Sequence, residues 1–239
     1  MGHDLITIYW LKAVEYVLAL SYLPLFMLFW KFASPRQPAT ARVPVAALGW
    51  ADQLAAFFQV PADLFFHKGH AWLRLEDADT VTVGLDDFAQ KLVGPLGALR
   101  LPVVGTTLVQ GQPALMLDAG AKVIPMLAPV DGTVLAVNPA ALASSDIVNR
   151  SPYGDGWLMK VKTTKLAGNL RRLMSGEAAH EWMDSVCESL GAEMAGLELG
   201  KVYLDGGQMV DGVARHLSPD NWDQIAKRFF LTDQGGRRA

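Results

Sequence analysis

The chain has 239 residues, 51% of them hydrophobic, with 21 Lys and Arg against 24 Asp and Glu. That supports one sizeable core with appendages, and a net charge of -3 without a Lys/Arg stripe gives no basis for nucleic-acid binding. The single cysteine, Cys187, excludes an internal disulfide framework and any CxxC metal or redox motif, and fits a reducing compartment.

The mean hydropathy of +0.20 is concentrated near the N-terminus. Leu5 to Trp30 is an apolar run long enough to cross about 30 Å of hydrocarbon at roughly 1.5 Å per residue, which predicts one transmembrane helix. Tyr9 and Trp10 at one end, with Phe29 and Trp30 at the other, have the character of interfacial aromatic belts. Lys12 and Glu15 stand inside the run at i,i+3 spacing, suited to pairing with each other or with a polar group of a neighbouring membrane subunit. Pro24 is a kink position. Lys31, Arg36 and Arg42 follow the run while Asp4 precedes it, so the positive-inside rule leaves the bulk of the chain in the cytoplasm, held to the inner membrane by a single pass. The rival reading is a cleaved signal peptide ending near Ala39-Thr40-Ala41, but the stretch before the apolar run carries Asp4 and no basic cluster.

Residues 33–45 (ASPRQPATARVPV) form an extended tether rich in proline and small residues. Ala46 to Val60 then places Ala47, Leu48, Ala51, Leu54, Ala55 and Phe58 at helical spacing with Asp52 and Gln53 opposite. This predicts an amphipathic helix that caps the following domain or lies on the membrane surface.

From Phe66 to Lys162 short strand runs alternate with glycine and proline turns: Ala71 to Leu75, Thr80 to Val83, Ala114 to Leu117, Thr133 to Val137 and Trp157 to Lys162. One helical run, Asp86 to Val93, interrupts them. The spacing predicts a small β-sandwich or barrel. Between Leu115 and Asn138 two strand runs meet at a small-residue tip, Asp118-Ala119-Gly120-Ala121-Lys122.

In this region His70-Ala71-Trp72, the run from Val81 to Gln90 (VTVGLDDFAQ) and Leu101-Pro102-Val103-Val104-Gly105-Thr106 occur in order. Ala128-Pro129-Val130-Asp131-Gly132, Val148-Asn149 and the run from Ser151 to Leu158 (SPYGDGWL) follow. Together they resemble the glycine cleavage H-protein family over roughly residues 64 to 162. The resemblance implies a mainly β, lipoyl-domain-like flattened barrel, a hammerhead of short strands. It also implies a carrier function that depends on one lipoylated lysine at a hairpin tip, which moves an aminomethyl group or electrons between enzymes. The family pattern at the tip is similar to E-S-V-K-A, with the lysine eight residues before the proline of the Ala-Pro turn. Counting back from Pro129 reaches Ala121, with Asp118 in register with the acid, so the carrier position is lost to Ala121. Lys122 is adjacent, and bringing it into position requires a one-residue slip, which turns a strand side chain to the opposite face. Lipoate on Lys122 is therefore the alternative to a chain without a cofactor.

Other chemistry is thin. His67 and His70 are spaced like a metal pair but no acid or cysteine cluster completes a site, so no metal is expected. The chain has no G-x-S-x-G, P-loop or G-x-G-x-x-G motif, and an enzyme in its own right is not expected.

Beyond Lys162, Ser175 has the character of an N-cap, and Ala178, Trp182, Val186 and Leu190 recur every four residues, predicting a helix with that stripe buried and Cys187 beside it. Leu199 to Val213 reads as a hairpin around Asp205-Gly206-Gly207. Ser218-Pro219-Asp220 reads as cap, N1 proline and first-turn acid of a last helix carrying Trp222, Ile225, Ala226, Phe229 and Phe230. The expected organisation is an anchor over 1–32, a tether and amphipathic helix over 33–63, the β domain over 64–163 and an α+β extension over 164–239. The functional expectation is a non-catalytic, membrane-anchored docking subunit of a membrane complex, plausibly one handling electrons. The alternative is a membrane-tethered lipoyl carrier modified on Lys122.

Overall fold

The computed structural model describes residues 50–196 and 210–233, together with Lys12 and Tyr16. The chain divides into two compact units, 1–43 and 44–239. In the first, Lys12 and Tyr16 are helical and exposed. The rest of the expected anchor, with Tyr9, Trp10, Glu15 and Trp30, lies outside the described residues, as do the tether and the hairpin turn expected around Asp205. Among the described residues no helix is long and apolar enough to cross a membrane.

The second unit includes α1 (Trp50–Phe57), which ends before the Val60 that the periodicity predicts. Leu54 and Phe58 are buried, and the Phe58 ring meets Phe88 at 4.9 Å, so this segment covers the β domain.

Ten strands follow. They are β1 (Phe65–His67), β2 (Ala71–Leu75), β3 (Thr80–Leu85), β4 (Ala98–Arg100), β5 (Thr107–Leu108), β6 (Pro113–Ala119), β7 (Lys122–Leu127), β8 (Gly132–Val137), β9 (Met159–Lys162) and β10 (Met174–Ser175). They build a seven-stranded sheet in the order β10-β1-β2-β3-β9-β8-β5 and a three-stranded sheet in the order β4-β6-β7. Every pairing is antiparallel, as short strands joined by tight turns require. One continuous core joins Leu73, Val81, Val83 and Val161 of the larger sheet to Leu115, Leu117, Ile124 and Met126 of the smaller one.

The period-2 pattern of TVTVGL makes β3 a central strand, with Val81, Val83 and Leu85 in the core. On its other face Gly84 lies opposite Trp72 in register, and a Cβ there would sit 2.5 Å from the indole carbons Cε2 and Cζ2. The glycine is what lets this indole lie flat across β3 and donate its Nε1–H to the Pro152 carbonyl at 3.0 Å.

Helix α2 (Asp87–Val93) is capped by Asp86, whose carboxylate accepts from the Ala89 N–H at 2.8 Å. Between β8 and β9 lie two single-turn helices, α3 (Pro139–Ala143) and α4 (Asp146–Arg150). A third, α5 (Leu166–Leu170), brings in Asn169, which donates to Gln110 Oε1 at 3.0 Å and to Asp131 Oδ2 at 2.8 Å and so ties the Pro129–Asp131 turn to the chain after β9.

The C-terminal third departs from expectation in four places. Ser175 is not a helix cap but the end of β10, paired with Phe65. Helix α6 (Gly176–Gly196) buries Ala179, Met183, Cys187, Leu190 and Met194, while Ala178 is exposed and Trp182 and Val186 flank the stripe. A strict four-residue repeat overruns the 3.6-residue turn, so the buried line steps by four and then three, and Cys187 lies within it. Burial, with the Asp184 charge adding to it, pushes the Cys187 thiol up to about 12. The last helix starts later than expected: Ser218 ends α7 (Val213–Leu217), and α8 (Trp222–Phe229) begins after Asn221. Val213, expected to end a strand, instead begins α7.

Candidate functional site at the β6–β7 hairpin

Strands β6 and β7 are joined by a two-residue turn, Gly120-Ala121, with Ala119 and Lys122 as the closing pair. Gly120 has φ +66, a value that favours glycine in the first position of so tight a turn. Alternation then fixes which side each residue takes. Leu115, Leu117 and Ala119 on β6 and Ile124 and Met126 on β7 face the core. Lys122 stands opposite Ala119, which is 1% exposed, and so extends the inner face at the end of the hairpin. Ala121 is exposed in the turn itself, and Val123, on the outer face, is 38% exposed.

The Lys122 side chain remains 39% exposed, but its Nζ lies 2.9 Å from Oδ1 of Asp223, whose side chain is buried. The approach is an ion pair rather than an aligned hydrogen bond, and Oδ1 has no hydrogen-bond partner. Oδ2 of the same carboxylate accepts from Lys227 Nζ at 2.9 Å, one helical turn further along α8. Burial alone would raise the Asp223 carboxyl, yet the two lysines outweigh it and hold it below the usual carboxylate range. On the outer face of β6, Asp118 pairs with Arg100 Nε at 2.9 Å, and its carbonyl accepts from the Gly97 N–H. Asp118 is thereby a bracket between β4 and β6.

The two histidines do separate work. His70 is buried with φ 63, its Nδ1 2.8 Å from Asp86 Oδ2, and its ring is stacked on Phe88 at 4.3 Å with Trp182 and Phe230 alongside. His67 Nδ1 accepts from the Gly69 N–H at 3.0 Å, and burial, with His70 and Lys68 nearby, lowers its imidazole to about 4. A cleft lined by Lys68, Trp182, Ser185, Arg228, Phe229 and Leu231 opens beside His70, where Arg228 and Glu193 close on each other at 2.8 Å.

The structure therefore places Ala121 in the turn and Lys122 on its shoulder, away from His67 and His70. Sequence reasoning missed Asp223 entirely. The i,i+4 spacing of Asp223 and Lys227 was legible, but the Lys122 contact joins residues far apart in the chain and leaves no local signal. The Phe229-Phe230-Leu231 end packs on this same unit: Phe229 meets Phe88 at 5.4 Å, Phe230 is fully buried, and Leu231 is exposed.

Comparison with known proteins bears on this arrangement directly. Residues 64–186 match the family described as Glycine cleavage H-protein. The chain belongs to the glycine cleavage H-protein family. It is 41% identical over 103 residues to the glycine cleavage system H protein of Opitutus terrae, covering 43% of this chain and 81% of that protein. Against glycine cleavage system H protein 3 of Aquifex aeolicus it is 37% identical over 128 residues, covering 52% and 80%. A crystal structure of the H protein of Mycobacterium marinum aligns with 52% of this chain and 95% of its own at 28% identity and a TM-score of 0.43. The H-protein match runs past the expected end at residue 162 and takes in β10 and half of α6. That extension is physical as well, since β10 closes the edge of the larger sheet against β1.

H proteins carry lipoate on a lysine, and the H-protein domain here can be tested for fit. Lys122 is partly exposed beside the turn, as an attachment point must be. Converting its amine to an amide removes the charge that faces Asp223. Lys227 remains bonded to that carboxylate, so release of Lys122 does not strand an unpaired buried charge. The surroundings of Lys122 are thus compatible with the group, while the counted carrier position itself is occupied by Ala121.

Proposed function

We propose that this chain is a membrane-tethered carrier of the H-protein type, non-catalytic on its own, with Lys122 as its lipoyl attachment point. The observation that carries the reading is positional: Lys122 is the one lysine in the 113–127 hairpin, and it directly follows the two-residue turn. A rigid sheet behind a projecting turn suits a long arm that must travel between partners. Bound lipoate would supply a dithiolane able to accept a group or electrons from one enzyme and pass them to another. The chain's own residues supply the platform: β4, β6 and β7 hold the turn, and the Asp118–Arg100 bracket stiffens its base. The apolar 5–30 run supplies the tether, which keeps the carrier beside membrane-bound partners. Intact mass of the chain isolated from its native host tests this. One lipoyl increment, absent from Lys122→Arg, is the expected result, and an unmodified mass under lipoate-replete growth overturns it.

A second reading, a docking subunit of a membrane complex without cargo, is favoured by one observation. Ala121 occupies the turn, while the Lys122 ammonium faces a buried carboxylate rather than open solvent. An unmodified mass together with copurification of a multisubunit membrane complex, including one that transfers electrons, would support it.

A further inference from the structure

Helix α8 touches the hairpin at Lys122, through the carboxylate of Asp223. Asp223 stands between two ammoniums, one from the hairpin and one from its own helix. With Lys122 in place the carboxylate is doubly paired, and with Lys122 withdrawn it keeps Lys227. The helix is only eight residues long and is held at defined points. Arg215 Nε donates to the Val93 carbonyl at 2.8 Å and lies over the Trp222 ring at 4.7 Å. The Gly212 N–H donates to the Lys91 carbonyl, and Phe230 is buried beside His70. Trp222, Ile225 and Ala226 seat its inner face in the core, so the element that can open is the ion pair to Lys122 rather than the helix as a whole.

We propose that α8 is a latch over the carrier lysine: Asp223 holds Lys122 Nζ on the inner face of the hairpin and keeps it from acylation until that ion pair opens. The proposal deepens the carrier reading, because it names what controls access to the same lysine. Acylation requires the ammonium to lose a proton. The free amine then attacks the carbonyl carbon of an activated acyl donor, the N–C bond forms, the bond from that carbon to its leaving group breaks, and the second amine proton departs. A carboxylate at 2.9 Å opposes the first of these events, and the inward direction of the side chain opposes the second.

The experiment uses the unmodified full chain in detergent and a small amine-acetylating reagent, with the rate at each lysine read by peptide mass spectrometry. Exposed Lys165 is the internal reference. The latch requires Lys122 to react about tenfold slower than Lys165, as suits a charge-assisted contact of this kind. Asp223→Asn, close to isosteric, should bring the Lys122 rate up toward the reference, and Lys227→Gln should leave it as slow or slower, because Asp223 then has only Lys122 to pair with. Equal rates at Lys122 and Lys165 in the unaltered chain, or no acceleration in Asp223→Asn, overturn the latch. So does acceleration in both variants, which marks a helix loosened without specificity. A chain never lipoylated in its host defeats the carrier reading alone, since acetylation rates report the latch independently.

Discussion

Gly84 shows how much a single missing carbon decides in this fold. Its Cα lies beneath the Trp72 indole, and any Cβ meets ring carbons at 2.5 Å with the fully buried Trp72 unable to retreat. Gly84→Ala should therefore cost about 1–3 kcal/mol, the range for overpacking a dense core. A lower urea midpoint at an unchanged slope is the expected signature. His67 gives a pH dependence with a definite sign. Its folded-state value is about 4 against 6.5 when unfolded, so between these limits the unfolded chain binds more protons and stability falls as the solution is acidified. The full effect is on the order of 3 kcal/mol. Denaturation midpoints taken between pH 6.5 and 4 should fall steeply for the unaltered chain and less steeply for His67→Gln. An equal slope would show that His67 is not the titrating group.

At the scale of elements, short β-prone runs set off by glycine and proline turns were legible from the residues: Ala71 to Leu75 was read with its observed bounds, and the runs at β3, β6 and β8 differ only at their ends. Elements defined by distant partners were not. The two-residue β10 exists because Ser175 and Met174 find Phe65 and Phe66, which nothing local announces. The start of α8 was misplaced because Ser218-Pro219-Asp220 has the chemistry of a helix start, yet Ser218 closes α7 and the chain turns before entering α8. At the hairpin, counting residues located the turn correctly in sequence, but only the register showed that Lys122 lies on the inner face against α8. The one-turn helix α5 is of the same kind, for its value lies in one side chain. Asn169→Ala leaves Gln110 Oε1 and Asp131 Oδ2 without their Nδ2–H donors, and Asp131 is held below the usual carboxylate range first by its hydrogen bond from Asn169 and then by the Gln110 N–H. A loss of about 2–3 kcal/mol is expected, with hydrogen exchange quickening first at Gly111 and Ala128, whose backbones pair across that turn.

For the whole molecule the question is whether the H-protein-like unit depends on the segment that precedes it. The core residues identified in the second unit run from Leu54 to Phe230 and form one continuous cluster, with a smaller one around Leu64, Phe66, Trp72 and Ala179. Both lie inside 44–239, so this unit has the buried apolar surface that independent folding requires. On the proposed reading the 5–30 run is the tether, since an apolar stretch of that length is long enough to cross about 30 Å of hydrocarbon. Deleting residues 1–43 should therefore separate folding from location. The shortened chain is expected to keep the far-ultraviolet circular dichroism of the second unit and a single cooperative unfolding transition, while moving from the membrane fraction to the supernatant. A shortened chain that still sediments with washed membranes would place the membrane contact in the second unit, with α1 the first element to test. One that loses its cooperative transition would show that the two units fold as one.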